Sequence, residues 1–177
     1  MPKKHISAAK RTAYKGITAA LAVALSFLEN LIPPISALPP GAKIGFANIA
    51  VMFALLNFSY ADAVIIVIIK SVFVLITRGA AAFFMSIAGG LLSIIILIAV
   101  LAVSKKNGRS LSYIFLSVTG ALFHNIGQLI AAGFYMSTFS VAGYLPVMII
   151  CALGSGVVTG IVLKIVIPPI TKILSRQ

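Results

Sequence analysis

The chain contains 177 residues, of which 61% are hydrophobic and 9% are charged, and its mean hydropathy is +1.17. This composition excludes a water-soluble globular domain and predicts an all-α integral membrane protein. The formal charge of +12 does not indicate a nucleic-acid partner, because the basic residues are grouped between apolar segments. Two acidic residues, two histidines and one cysteine offer neither a metal centre nor a carboxylate-based Mg²⁺ site, so we predict no cofactor and no catalytic site.

Six apolar segments, separated by Pro, Gly or charged residues, predict six transmembrane helices. They cover residues 13–32, 44–58, 60–77, 80–103, 111–136 and 141–167. The second segment has about 15 residues, fewer than a full crossing needs, which indicates a thin or broken helix. The predicted organisation is an N-terminal segment over residues 1–12, a membrane domain over 13–167 and a C-terminal tail over 168–177.

Most basic residues fall into three groups, which lie before the first segment, between the fourth and fifth, and at the end of the chain. The groups are Lys3, Lys4, Lys10, Arg11 and Lys15; Lys105, Lys106 and Arg109; and Lys164, Lys172 and Arg176. If all six segments cross the bilayer, the three groups lie on one side. The positive-inside rule then predicts that both termini are cytoplasmic.

The same topology places residues 33–43, with the sequence PPISALPPGAK, on the outer side. Four prolines exclude a regular helix and predict a stiff, extended loop. Two interpretations remain open: a lid over a binding site, or a rigid connector between two helices.

Three basic residues lie outside the cytoplasmic groups: Lys43, Lys70 and Arg78. An ion pair with Glu29, or extension of the side chain to the membrane interface, would explain each of them singly. One carboxylate cannot neutralise three cations, however, and a charged side chain inside a membrane helix indicates a functional site. We therefore expect an anionic ligand.

Polar side chains in the fifth segment point to the same outer half of the protein. His124 and Gln128 are four residues apart and share a helix face, whereas Asn125 is displaced by about 100°. Asn48, in the second segment, adds another amide. Hydrogen bonds between helices would also explain the three amides without a ligand. The predicted binding residues are Lys43, Asn48, Lys70, Arg78, His124, Asn125 and Gln128.

Small residues form stripes that permit close helix contact. Gly16, Ala20 and Ala24 recur every four residues in the first segment, where a terminal helix is able to offer a face to another subunit. Gly156 and Gly160 form a GxxxG motif that we expect to pack within the chain. Residues 86–93 (SIAGGLLS) predict close helix contact as well, with backbone approach to a ligand as an alternative.

Residues 40–49 (PGAKIGFANI), 86–93 and 120–129 (GALFHNIGQL) resemble the membrane family known as Gx transporter, or heptaprenyl diphosphate synthase component I. The resemblance extends over residues 16–167. The small size and six predicted spans are in turn similar to the substrate-binding S components of energy-coupling factor (ECF) transporters. In those proteins an Ala-xxx-Ala pattern in the first helix contacts the transmembrane coupling subunit, and Ala20 and Ala24 match that pattern.

This resemblance implies an S-component-like bundle in the cytoplasmic membrane of a prokaryote. It would bind a small anionic or amphipathic compound and work with a coupling subunit and ATPase subunits. Two alternatives remain: a non-catalytic accessory subunit of prenyl diphosphate or quinone biosynthesis, and a stand-alone secondary transporter. Prenyl elongation depends on aspartate-rich Mg²⁺ motifs and this chain has one aspartate, Asp62, so we expect no enzymatic activity.

Overall fold

The computed structural model describes residues 8–31 and 45–176. All regular secondary structure over these residues is helical, which confirms the predicted all-α class, whereas the S-component-like arrangement stays a prediction. Six α-helices occur in the predicted order: α1 (Ala8–Leu31), α2 (Asn48–Asn57), α3 (Tyr60–Arg78), α4 (Ala80–Lys106), α5 (Tyr113–Met136) and α6 (Leu145–Arg176). A short 3₁₀ helix, Phe139–Tyr144, connects α5 to α6.

Four stretches are long and apolar enough to cross a membrane: Tyr60–Arg78, Ala80–Lys106, Tyr113–Met136 and Ser140–Ile170. Helix α1 has 24 residues but carries Lys10, Arg11 and Lys15 in its first turns. Helix α2 has 10 residues and is therefore about 15 Å long, half the thickness of the hydrocarbon layer. The short second helix was expected; crossings by α1 and α2 and the cytoplasmic position of the termini stay predictions.

Polar contacts at both ends of the bundle place α1 and α3 side by side and parallel. Near their starts, Lys15 Nζ and Asp62 Oδ1 form an ion pair at 2.8 Å. Near their ends, Asn30 Nδ2 donates a hydrogen bond to Thr77 Oγ1 at 3.2 Å. We call the end of the bundle that contains the Lys15–Asp62 pair the basic end, and the other the far end.

A tight turn at Gly79 brings α4 back antiparallel to α3. The φ angle of Gly79 is +83°, in the region that favours glycine, and this residue ends α3 and begins α4. The apolar core lies around α2 and includes Met52, Val67, Leu97 and Leu116. The polar cavity described below lies beyond the N-terminal end of α2, between this core and the far end.

Helix α5 packs closely against α4 on one side and α6 on the other, at glycines. A Cβ atom on Gly127 would lie 2.7 Å from Gly89 Cα. Cβ atoms on Gly156 and Gly160 would lie 2.6 Å from the Cα atoms of Val118 and Ile114. Both predicted close contacts within the chain, at the GxxxG motif and at residues 86–93, are therefore confirmed.

We expect the Gly127→Ala variant to be less stable than the wild type by about 1–3 kcal/mol, because the new methyl group overlaps the backbone of α4. The matched control is Gly154→Ala in α6, where a Cβ atom meets nothing within 4 Å. Thermal unfolding of the detergent-purified proteins measures both effects. Equal midpoints for the two variants would contradict the close α4–α5 contact.

Candidate functional site: a buried polar cavity

Residues from α1, α3, α4, α5 and the segment before α2 enclose a cavity of about 20 Å³. Its polar lining consists of Ser26, Glu29, Lys70, Arg78, Ser86, His124 and Gln128. The remaining lining residues are Gly45, Ala47, Val74 and Ala82. The volume accommodates about one water molecule. Side chains that are far apart in sequence thus meet in one polar site within an otherwise apolar bundle.

Lys70 brings a positive charge into this site from the middle of α3. Its side chain is buried, and Nζ donates a hydrogen bond to Asn48 Oδ1 at 2.7 Å. Burying an ammonium group away from water costs free energy, which this charge-assisted hydrogen bond partly offsets. Since Asn48 is the first residue of α2, the bond also links the start of α2 to α3.

Glu29 holds the chain where it enters α2. Its Oε1 atom accepts hydrogen bonds from the backbone N–H groups of Gly45, at 2.7 Å, and Phe46. Gly45 has a φ angle of +93°, which explains a glycine at this position. The carboxylate therefore stabilises two backbone groups that precede the helix. Among the described residues, the lining carries one formal negative charge, on Glu29, and two positive charges, on Lys70 and Arg78.

The imidazole of His124 lies between two glycines. A Cβ atom on Gly45 would be 3.4 Å from His124 Cδ2, and one on Gly89 would be 2.8 Å from Nδ1. The side chain is 3% exposed, and Nδ1 forms no hydrogen bond of normal geometry with any described residue. Nδ1 therefore faces the backbone of α4, whereas Cδ2 and Nε2 face Gly45, which also lines the cavity.

Gln128 lines the cavity one turn after His124, whereas Asn125 lies outside the lining and forms a hydrogen bond with Gln128. Asn125 Nδ2 donates to the carbonyl oxygen of Met148 in α6 at 2.7 Å, and Asn125 Oδ1 accepts a hydrogen bond from Gln128 Nε2 at 3.3 Å. Asn125 is not among the lining residues. Its position matches the interhelical hydrogen bond that the sequence left open as an alternative, and it orients Gln128.

The structure thus brings most of the predicted binding residues to one place. Lys70, Arg78, His124 and Gln128 line the cavity, and Asn48 contacts Lys70. Lys43 and residues 33–43 lie outside the described residues. Binding of a ligand by these side chains stays a prediction.

The sequence interpretation missed the two serines in the lining and the backbone role of Glu29. Ser26 and Glu29 are three residues apart on one face of α1, a spacing that could have identified them. The other serine is Ser86, which forms a hydrogen bond of 2.9 Å with Ser71 of α3. No spacing in the sequence identified Ser86 as a lining residue.

The small-residue stripe lies on the other side of α1. Gly16, Ala20 and Ala24 are exposed, and a Cβ atom on Gly16 would meet nothing within 4 Å. At about 100° per residue, this stripe and the buried face that carries Ser26 and Glu29 are roughly opposite each other on the helix. One face of α1 therefore lines the cavity, while no residue in 8–31 or 45–176 covers the other.

Apolar helices around a buried site that contains cations, a carboxylate, an imidazole and an amide define a multi-pass membrane protein with an internal polar cavity. A family model described as heptaprenyl diphosphate synthase component I matches residues 18–166, and the chain belongs to this family. The matched region contains every residue of the cavity lining. No curated protein and no solved structure matches the chain.

Proposed function

We propose that the protein is the substrate-binding membrane subunit, or S component, of an ECF-type ATP-driven uptake transporter. Its substrate would be a small anionic or amphipathic compound, either vitamin-like or a precursor of isoprenoids or quinones. The observation that carries the proposal is the convergence of Lys70, Arg78, His124 and Gln128 on one buried cavity. Buried polar groups inside a membrane bundle are costly, and binding a substrate is a reason to keep them.

The charges of the cavity favour an anion. Two cations and one carboxylate line it in the part of the chain that the structure describes, and that carboxylate accepts two backbone hydrogen bonds. An incoming carboxylate or phosphate would balance the remaining positive charge. His124 and Gln128 supply polar atoms that orient the ligand without adding a charge of fixed sign.

The cavity must widen to admit a vitamin-sized compound, because ligand pockets usually measure about 300–1,000 Å³ and this one is about 20 Å³. We infer that the structure represents a closed form. Displacement of the segment before α2 would open it, because Gly45 and Ala47 line the cavity and the Asn48–Lys70 and Glu29–Gly45 hydrogen bonds hold this segment in place. A ligand that competes for Lys70 would weaken the first of these.

In this proposal the two faces of α1 have different roles, one in ligand binding and the other in coupling to the partner subunits. The buried face contributes Ser26 and Glu29 to the cavity, and the exposed Gly16, Ala20 and Ala24 let another membrane helix approach closely. We assign this exposed face to the transmembrane coupling subunit, through which the ATPase subunits would act.

Native mass spectrometry of the gently purified protein tests the proposal. We expect a retained small molecule of anionic character, together with a membrane coupling subunit and ATPase subunits. The Lys70→Met variant, purified in parallel, should lose the small molecule and keep the subunits. Recovery of the wild-type protein with neither a ligand nor these subunits would contradict the proposal.

The family description favours one second candidate, a non-catalytic accessory subunit of prenyl diphosphate or quinone biosynthesis. A catalytic role is disfavoured because the two acidic side chains are separated: Glu29 lines the cavity and Asp62 pairs with Lys15 at the basic end. They cannot hold one Mg²⁺–diphosphate together. In the same purification, this candidate predicts a soluble prenyltransferase as the associated protein and no tightly bound small molecule.

A further inference from the structure

A second concave region lies at the basic end of the bundle, separate from the polar cavity. It is an open groove of about 850 Å³ between the ends of α2 and α4 and the starts of α3 and α5. Its lining contains three basic side chains, Lys105, Lys106 and Arg109, and an apolar wall that includes the half-buried Leu56, Leu101 and Leu111. None of these residues lines the cavity that we assign to the transported substrate.

Neither side-chain carboxylate of the protein lies in the lining of this groove. Glu29 and Asp62 are the two acidic residues. Glu29 accepts backbone hydrogen bonds beside the polar cavity, and Asp62 pairs with Lys15 at 2.8 Å. Lys105, Lys106 and Arg109 are exposed. Their charges stabilise the C-terminal end of α4 and give one rim of the groove a local excess of positive charge.

The local backbone keeps the basic residues at the rim of the groove. Arg109 N donates to the carbonyl oxygen of Ser104 at 3.1 Å, and Ser104 Oγ donates to the carbonyl oxygen of Arg109. Gly108, with φ at +65°, permits the turn that brings Arg109 back towards α4. The rim is therefore an ordered feature of the α4–α5 connection.

The groove changes from basic to apolar along the helices. Leu101 lies one turn before Lys105 on the same face of α4, and the half-buried Leu56 and Leu111 lie beside it in the lining. Tyr60 and Tyr113, at the first residues of α3 and α5, also line the groove, and tyrosine is typical of the membrane–water interface. A phosphate at the rim and a hydrocarbon chain against the leucines match this gradient.

We propose that the groove binds an anionic phospholipid of the surrounding bilayer, with its phosphate at Lys105, Lys106 and Arg109 and an acyl chain against Leu101 and Leu111. Basic pockets at helix ends commonly bind anionic headgroups. The site is independent of the transported substrate, so its failure would leave the proposed function unaffected.

Native mass spectrometry with phosphatidylglycerol and phosphatidylcholine of identical acyl chains tests this site. We expect phosphatidylglycerol to bind preferentially, and Lys105→Gln/Lys106→Gln to weaken its binding by about thirty-fold, since each basic residue near an anionic headgroup contributes on the order of 1 kcal/mol. Leu101→Trp, which fills the apolar wall and keeps every charge, should also reduce binding. Size-exclusion profiles establish that the variants remain folded.

The matched control is Arg11→Gln/Lys164→Gln, which removes the same number of charges from exposed positions outside the groove. It should leave phosphatidylglycerol binding within about twofold of the wild type, less than the loss of one basic contact. Four results would overturn the proposal: equal losses in both double variants, equal binding of phosphatidylcholine, displacement of the lipid by inorganic phosphate, or tighter binding of farnesyl diphosphate than of phosphatidylglycerol.

Discussion

Replacing Lys70 with methionine should weaken binding of the copurified compound by at least about tenfold, because a hydrogen bond to a charged group contributes about 1.5–3 kcal/mol. Methionine keeps much of the length and apolar character of the side chain and removes only the ammonium group. Lys105→Met is the matched control, since Lys105 lies at the basic end and outside the cavity. Isothermal titration or competition in native mass spectra measures the two affinities.

Loss of the Lys70–Asn48 hydrogen bond is a separate consequence of that substitution, and it needs its own control. Asn48→Ala removes the same hydrogen bond but keeps the positive charge. We expect Asn48→Ala to lower affinity much less than Lys70→Met. Equal losses in Lys70→Met and Lys105→Met would remove the argument for an anionic ligand. Equal losses in Lys70→Met and Asn48→Ala would assign the effect to the position of α2 instead of charge.

Larger side chains in the small-residue stripe of α1 should abolish uptake of the ligand, while binding of the ligand persists. In Ala20→Leu and Ala24→Leu the added side-chain atoms prevent close approach of a coupling helix. They project from the exposed face, roughly opposite the face that carries Glu29, so the cavity is unchanged. Uptake by cells that express the complete transporter, and binding by the purified subunit, measure the two activities separately.

Gly154→Leu is the control for this pair, because it adds a similar side chain to an exposed position of α6 where a Cβ atom has no neighbour within 4 Å. It should leave uptake near the wild-type level. Loss of binding with transport intact in the α1 variants would contradict the assignment of the stripe. Transport by the reconstituted wild-type protein without an ATPase would favour a stand-alone transporter instead.

The order and type of the helices could be predicted because hydrophobic segments of membrane length leave few alternatives. The same reasoning identified the second segment as too short, and α2 is a helix of 10 residues. The exact start of α2 was harder to predict from the sequence. It depends on the Glu29 carboxylate, which is distant in sequence and accepts hydrogen bonds from Gly45 and Phe46.

Some side chains of the candidate site could likewise be predicted from the sequence, and others could not. The cost of placing Lys70, His124 and Gln128 in apolar segments was visible in the sequence, and these residues line one cavity. Periodicity also placed Asn125 on a different face from His124. It could not decide between a ligand and a neighbouring helix as the partner of Asn125, because the Met148 carbonyl oxygen becomes available only when α5 and α6 pack together.

By itself, the sequence determined that this protein is a helical membrane protein with polar groups that need partners, since hydropathy and the cost of buried charge depend on residue type alone. Only the tertiary structure decided which groups meet. Close approach at Gly89 and Gly127 brings His124 against α4. The backbone N–H group of Gly45, in the segment before α2, donates a hydrogen bond to the Glu29 carboxylate. Such contacts join residues far apart in the chain, so their distances follow from helix packing and from no local pattern.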